Sequence, residues 1–111
     1  MSVSDVLEKY IDASNAKDAD RIADLFADEC LFMDGAARPL GMPDFKAEGR
    51  EAIRELYAGI FQSYDVSAKL VKLNPNSMEY DVLLNGMTVP CIGAATCNED
   101  GKITEYMVRA R

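Results

Sequence analysis

Apolar residues at Val6, Leu7, Tyr10 and Ile11, with the small Ser14, follow the i, i+3, i+4 spacing of one helical face, and Ser2 or Ser4 stands where an N-cap is required. The pattern predicts a first helix with Tyr10 on its core side. Asn15-Ala16-Lys17 interrupts it, and Asp18 or Asp20 restarts it. Ile22, Leu25 and Phe26 then form the buried stripe of a second helix expected to end near Asp28. A third helix opens at Gly49-Arg50-Glu51 and carries Ile53, Leu56, Tyr57, Ile60 and Phe61 on one stripe, which turns Tyr57 inward as well.

Between these helices the run Cys30-Leu31-Phe32-Met33-Asp34-Gly35 reads as a strand that ends in a carboxylate. Alternation places Cys30, Phe32 and Asp34 on one face and Leu31 and Met33 on the other. Asp34 therefore shares its face with apolar side chains, either as turn chemistry bonding the next backbone amides or as a working base. From Gly35 to Glu48 two prolines, two glycines and the lack of a sustained period predict a long loop beside Asp34. Such loops are plain surface excursions or lids.

After the third helix the period changes to two. Val66 to Leu73, Met78 to Leu84, Met87 to Cys97 and Lys102 to Ala110 read as strands, with turns at Asn74-Pro75-Asn76, Asn85-Gly86 and Asn98-Glu99-Asp100-Gly101. Asn-Gly is the strongest of these signals, because both residues accept the positive φ of a type I′ turn. Pro90 inside the Met87 strand asks for an edge position or a bulge. Two helices, a strand, a helix and four mostly antiparallel strands give an α+β fold. Its three N-terminal helices pack on the concave side of one curved sheet.

Length and composition fit one domain spanning residues 1–111, with 49% hydrophobic and 28% charged residues. A net charge of −7 argues against a nucleic acid or anionic membrane partner. The N-terminus shows no signal-like segment, and no stretch approaches a bilayer span, so a cytoplasmic location is expected. Cys30, Cys91 and Cys97 lie in strand-like runs without Cys-x-x-Cys spacing and read as free thiols. There is no histidine. This removes Ser-His and Cys-His nucleophiles and the usual zinc sites, and leaves acid-base chemistry to carboxylates, Tyr, Lys or Cys. No metal or cofactor is expected.

Several stretches together resemble the nuclear transport factor 2-like superfamily, which includes the SnoaL-like proteins, and within it the ketosteroid isomerases (steroid delta-isomerases). They are Tyr10-Ile11, Leu25-Phe26-Ala27-Asp28, Asp34 at its strand end, Gly49-Arg50-Glu51-Ala52-Ile53 through Tyr57, Asn85-Gly86 and Gly101-Lys102-Ile103. The resemblance implies a cone-shaped fold and a homodimer. It also implies a hydrophobic, steroid-like or polyketide-like ligand in a pocket that includes Phe26, Phe32 and Gly93. Asp34 matches the family's catalytic base, Tyr10 its oxyanion tyrosine and Tyr57 a second tyrosine supporting the first.

The chemistry such a trio serves is enolate formation, which needs a base beside the carbon and a donor at the ketone oxygen, away from water. The implied reaction shifts a C=C bond of a 3-oxo steroid or similar ketone. A polyketide cyclase using the same base, and a non-catalytic binding or dimerisation module, are the alternatives. The sequence departs from the resemblance at one point. The second oxyanion acid of ketosteroid isomerase falls on Gly93, so that donor is absent and room for a bulkier ligand is expected there. In addition, the Gly35 to Glu48 loop is longer than the family's and the segment between Tyr57 and Asn85 shorter.

Overall fold

The structure is a computed structural model and describes residues 2–111. Its elements are α1 (Val3–Asn15), α2 (Ala19–Asp24), β1 (Phe26–Asp34), a 3-10 turn at Arg38–Leu40, β2 (Phe45–Glu48), α3 (Arg50–Ser63), β3 (Val66–Leu73), β4 (Ser77–Leu84), β5 (Met87–Cys97) and β6 (Ile103–Ala110). The strands form one curved sheet in the order β2-β1-β6-β5-β4-β3. All neighbours are antiparallel except β1 and β6, where Phe32 pairs with Tyr106 and Asp34 with Val108. The three helices cover one face, and the core between them and the sheet holds Leu7, Ile22, Phe26, Phe32, Ile53, Met78 and Tyr106. This is the expected α+β architecture.

Local signals explain how the helices are seated. The Ser2 hydroxyl accepts from the Asp5 amide and the Asp5 carboxylate accepts from the Ser2 amide, a reciprocal cap on α1. At the other end the Asn15 side chain bonds both the carbonyl and the amide of Ala68, at 2.9 and 2.7 Å, which fixes α1 against β3. Lys17, with φ 53°, turns the chain into α2, where Asp18 caps the first turn. Gly49 holds a φ of 89° at the start of α3, and the next residue, Arg50, clamps the Phe26 carbonyl with two donors at 3.0 and 2.8 Å. The Gly-Arg-Glu signature is thus a fastening of α3 onto the start of β1.

Two sequence expectations are corrected. The second helix ends at Asp24, not near Asp28, and Phe26 opens β1. A short apolar run such as Leu25-Phe26-Ala27 suits helix or strand, and parallel pairing of Phe26 with Ile103 decides for the strand. The segment from Gly35 to Glu48 is not a continuous loop. It contains a 3-10 turn and the edge strand β2, so the sheet has six strands where the sequence predicts five. Phe45 and Ala47 face inward while Lys46 and Glu48 face solvent, an alternation too short to register among the flanking prolines and glycines.

Pro90 is accommodated without a bulge. It pairs with Asp81 of β4, whereas pairing with β6 begins one residue later at Cys91, so its missing N–H removes no bond of that ladder. The Asn85-Gly86 turn has φ angles of 50° and 83° and joins β4 to β5 as a tight hairpin.

Candidate functional site

Asp34 is placed by β1 on both sides, pairing with Phe45 of β2 and Val108 of β6, and its side chain turns to the helix-covered face with Phe32. One oxygen, Oδ1, accepts from the Ala36 amide at 2.9 Å. This is the turn bond that an Asp-Gly sequence favours. It engages one oxygen only, and the Asp34 carboxylate makes no other hydrogen bond among the described residues. Loss of hydration raises its pKa above the ordinary carboxylate value, the Ala36 bond opposes that rise, and the neighbouring Asp44 charge adds to it. Turn chemistry and a more basic carboxylate are therefore combined in one residue.

Tyr10 and Tyr57 both face the interior, as their helical stripes predict, and meet there. Their hydroxyls hydrogen-bond to each other in the interior, with the rings edge-on at 6.0 Å between centroids. Burial pushes the Tyr57 hydroxyl far above the usual tyrosine range, so Tyr57 stays protonated and able to donate. A second tyrosine pair lies beside the first. Tyr80 of β4 and Tyr106 of β6 share a hydrogen bond of 2.9 Å, and the Tyr106 ring stands 5.0 Å from that of Tyr10. Desolvation holds both Tyr80 and Tyr106 well above the usual tyrosine range, and the Asp34 charge adds a smaller rise to each.

Asp34, Tyr10, Tyr57 and Tyr80 border a cavity of about 70 Å³ that widens to about 590 Å³ of unfilled space when its mouth is included. Phe32, Phe45, Phe61 and Tyr64 form aromatic walls, and Ile60, Val66, Val82 and Leu84 complete an aliphatic lining. The polar surface comes from Asp34, Ser14, Tyr10, Tyr57 and Tyr80, with no Lys or Arg among the lining residues. A neutral, mostly apolar molecule with one oxygen to be hydrogen-bonded matches such walls, whereas an anion would meet the Asp34 carboxylate without a cation to offset it. Among the described residues no group of three or more His, Cys, Asp or Glu is placed to hold a metal ion.

The sequence profile of the SnoaL-like domain matches residues 7–106, nearly the whole chain. The chain belongs to the SnoaL-like family. Solved structures agree on the fold. A SnoaL-like protein of unknown function from Burkholderia thailandensis E264 superposes with a TM-score of 0.72 at 16% identity, covering 98% of this chain and 94% of that one. An NTF2-like protein of unknown function from Mesorhizobium loti gives a TM-score of 0.76 at 17% identity, covering 98% and 90%. A search of curated proteins returns no match. Among the described residues no helix is long and apolar enough to cross a membrane.

Within this SnoaL-like chain Asp34, Tyr10, Tyr57 and Phe32 all border the cavity, while two other residues expected in the pocket do not. Phe26 is fully buried beneath Phe32, 6.3 Å away between ring centroids, and serves the core. Gly93 faces inward on β5, yet it leaves no open room for ligand. A β-carbon built there would overlap the Tyr106 hydroxyl oxygen and lie 2.6 Å from Cζ. The space next to the glycine is filled by a tyrosine from the adjacent strand. Neither Tyr80 nor Tyr106 is singled out by the sequence reading. The signal for Tyr80 is present, because it alternates with Met78, Val82 and Leu84 along β4. Tyr106 becomes recognisable only once β6 is known to lie between β1 and β5.

Proposed function

We propose that this SnoaL-like chain is an enolate-forming enzyme for a small, neutral, unsaturated ketone, of the ketosteroid isomerase type. The observation that carries the reading is the convergence of a part-buried, half-engaged Asp34 with the hydrogen-bonded Tyr10–Tyr57 pair at one apolar cavity. Asp34 takes a proton from the carbon between the carbonyl and the C=C bond, and the electron pair of that C–H bond becomes the dienolate. Tyr10, oriented by Tyr57, donates to the oxygen on which the charge gathers. Protonated Asp34 returns the same proton to the far carbon of the dienolate, which leaves a conjugated enone and a regenerated carboxylate. The apolar walls favour this sequence because the carboxylate gains basicity where hydration is poor.

The SnoaL-like assignment favours a second reading, a cyclase in which the carbanion attacks a carbonyl of the same molecule. Both reactions begin with the same proton abstraction. The test is therefore α-proton exchange from β,γ-unsaturated cyclohexenone and from a 3-oxo-Δ5 steroid in deuterated water, followed by NMR, with the ultraviolet absorbance of the conjugated enone recorded in parallel. Conjugation supports the isomerase whether or not deuterium is taken up, and exchange without conjugation supports the cyclase. A lack of both conjugation and exchange with each ketone, or equal rates of both by Asp34→Asn, removes Asp34 as a base and with it this function.

A further inference from the structure

We infer that Tyr80 is a second hydrogen-bond donor to the reacting oxygen and that Tyr106, seated over Gly93, is the positioning residue that aims it. The inference rests on the enolate reading of the site but concerns residues that the Asp34, Tyr10 and Tyr57 assignment leaves unused.

Each phenol carries one proton to donate. Tyr106 is completely inaccessible to solvent, does not border the cavity, and among the described residues makes its only side-chain hydrogen bond with Tyr80. If Tyr80 donated to Tyr106, the Tyr106 proton would be buried without an acceptor, which is costly. The satisfied arrangement has Tyr106 donating to Tyr80. Tyr80 borders the cavity, so its own proton is then left to point toward a ligand. Accepting one hydrogen bond also makes Tyr80 a stronger donor, because hydrogen bonds in a chain polarise one another.

Gly93 is what allows this arrangement. Any side chain at that position would collide with the Tyr106 hydroxyl, so the glycine and the tyrosine from neighbouring strands form one structural unit. The place where a carboxylic acid would supply the second oxyanion donor is thus taken by a phenol acting through another phenol. Charge coupling runs in the useful direction. Ionised Asp34 disfavours loss of the Tyr80 proton, and that restraint falls away once Asp34 has taken up the substrate proton, when the enolate needs its donors.

The experiment uses the full chain and two readouts. The first is steady-state conversion of β,γ-unsaturated cyclohexenone to the conjugated enone. The second is fluorescence titration with β-naphthol, a flat apolar probe whose oxygen stands in for that of the enolate. Tyr80→Phe is expected to lower kcat by about 10²-fold with KM little changed, as for loss of one oxyanion donor, and to weaken β-naphthol binding. Tyr106→Phe should lower kcat by about ten-fold, and the double variant should be no slower than Tyr80→Phe alone, because Tyr106 acts through Tyr80. Unchanged kcat and unchanged β-naphthol affinity in Tyr80→Phe would overturn the inference, and so would fully multiplicative losses in the double variant. If Tyr80→Phe does not fold, Tyr106→Phe decides alone, and a wild-type kcat there is negative. Asp34→Asn separates the two levels. Loss of turnover there with no effect of Tyr80→Phe sinks the inference and keeps the base. An unaffected rate in Asp34→Asn sinks the base, and the β-naphthol titration then decides the Tyr80 donor by itself.

Discussion

The hydroxyl of Tyr106 lies over Gly93, in the space where any side chain at position 93 would begin. Gly93 and Val108 are directly paired across β5 and β6, and Tyr106 leans from the neighbouring inward position of β6 over the gap. The missing side chain is therefore a packing requirement of the tyrosine pair. The sequence reading expects room for a bulkier ligand at Gly93, and the packing reverses that expectation.

Gly93→Asp should destabilise the protein and give no gain in turnover. Overpacking of this kind costs about 1–3 kcal/mol before the cost of burying a carboxyl is added, and Gly93→Ala should show the steric part by itself. Thermal melts of the two variants beside the wild type check this. A folded Gly93→Asp protein with faster turnover would show that Tyr106 moves aside readily.

Asp34→Asn should abolish about 10²-fold or more of any proton-transfer activity without lowering the melting temperature at neutral pH. The sign follows from the direction of the pKa shift. A carboxyl whose pKa is raised by folding favours the native state below its ordinary value of 3.8, and that contribution is lost as pH rises through the folded value. At neutral pH the wild type therefore carries a charge that opposes folding, and asparagine does not. The melting-temperature advantage of Asp34→Asn should shrink as the pH is lowered, and a variant markedly less stable than wild type at pH 7 would contradict the sign.

The pH dependence of kcat/KM should show one acid limb, displaced above the ordinary carboxylate position because desolvation raises Asp34. No further limb is expected near neutrality, since the chain has no histidine and the Tyr57 hydroxyl titrates far into alkali. A profile with an inflection on each side of neutrality would point to a different acid-base pair.

Tyr10→Phe should reduce kcat more than it changes KM, because its hydrogen bond strengthens as charge develops on the ketone oxygen. Tyr57→Phe should have the same signature with a smaller loss, as Tyr57 acts on Tyr10 through their shared hydrogen bond. Should both variants lose only thermal stability while turnover holds, the pair is structural.

Arg50→Ala should cost about 1–3 kcal/mol of stability, as for leaving a buried acceptor unpaired, because the Phe26 carbonyl loses both of its guanidinium donors. The activity per folded molecule should be unchanged, since Arg50 fastens the start of α3 away from the cavity lining. Denaturant unfolding combined with active-fraction kinetics separates the two quantities.

The sequence by itself determined the features that depend on near neighbours. The 3.6-residue period turns Tyr10 and Tyr57 to the core side of their helices. The caps of α1 and α2 come from the pairs the sequence offers, Ser2 rather than Ser4 and Asp18 rather than Asp20, and Asn85-Gly86 forms the hairpin that its positive φ angles allow. Alternation along β1 likewise puts Asp34 on the face of Phe32. Tertiary structure decided whatever depends on a partner far along the chain. Phe26 leaves the helical pattern because Ile103 pairs with it, and β2 exists because β1 offers Phe45 to Glu48 an edge. The second tyrosine pair shows the limit most plainly. Tyr80 and Tyr106 are 26 residues apart, on strands that are not neighbours in the sheet, and their hydroxyls meet only because a glycine between them leaves the space open. Local pattern can orient a side chain toward the core, but which hydroxyls converge there is set by strand order and by the volume that other residues leave unfilled.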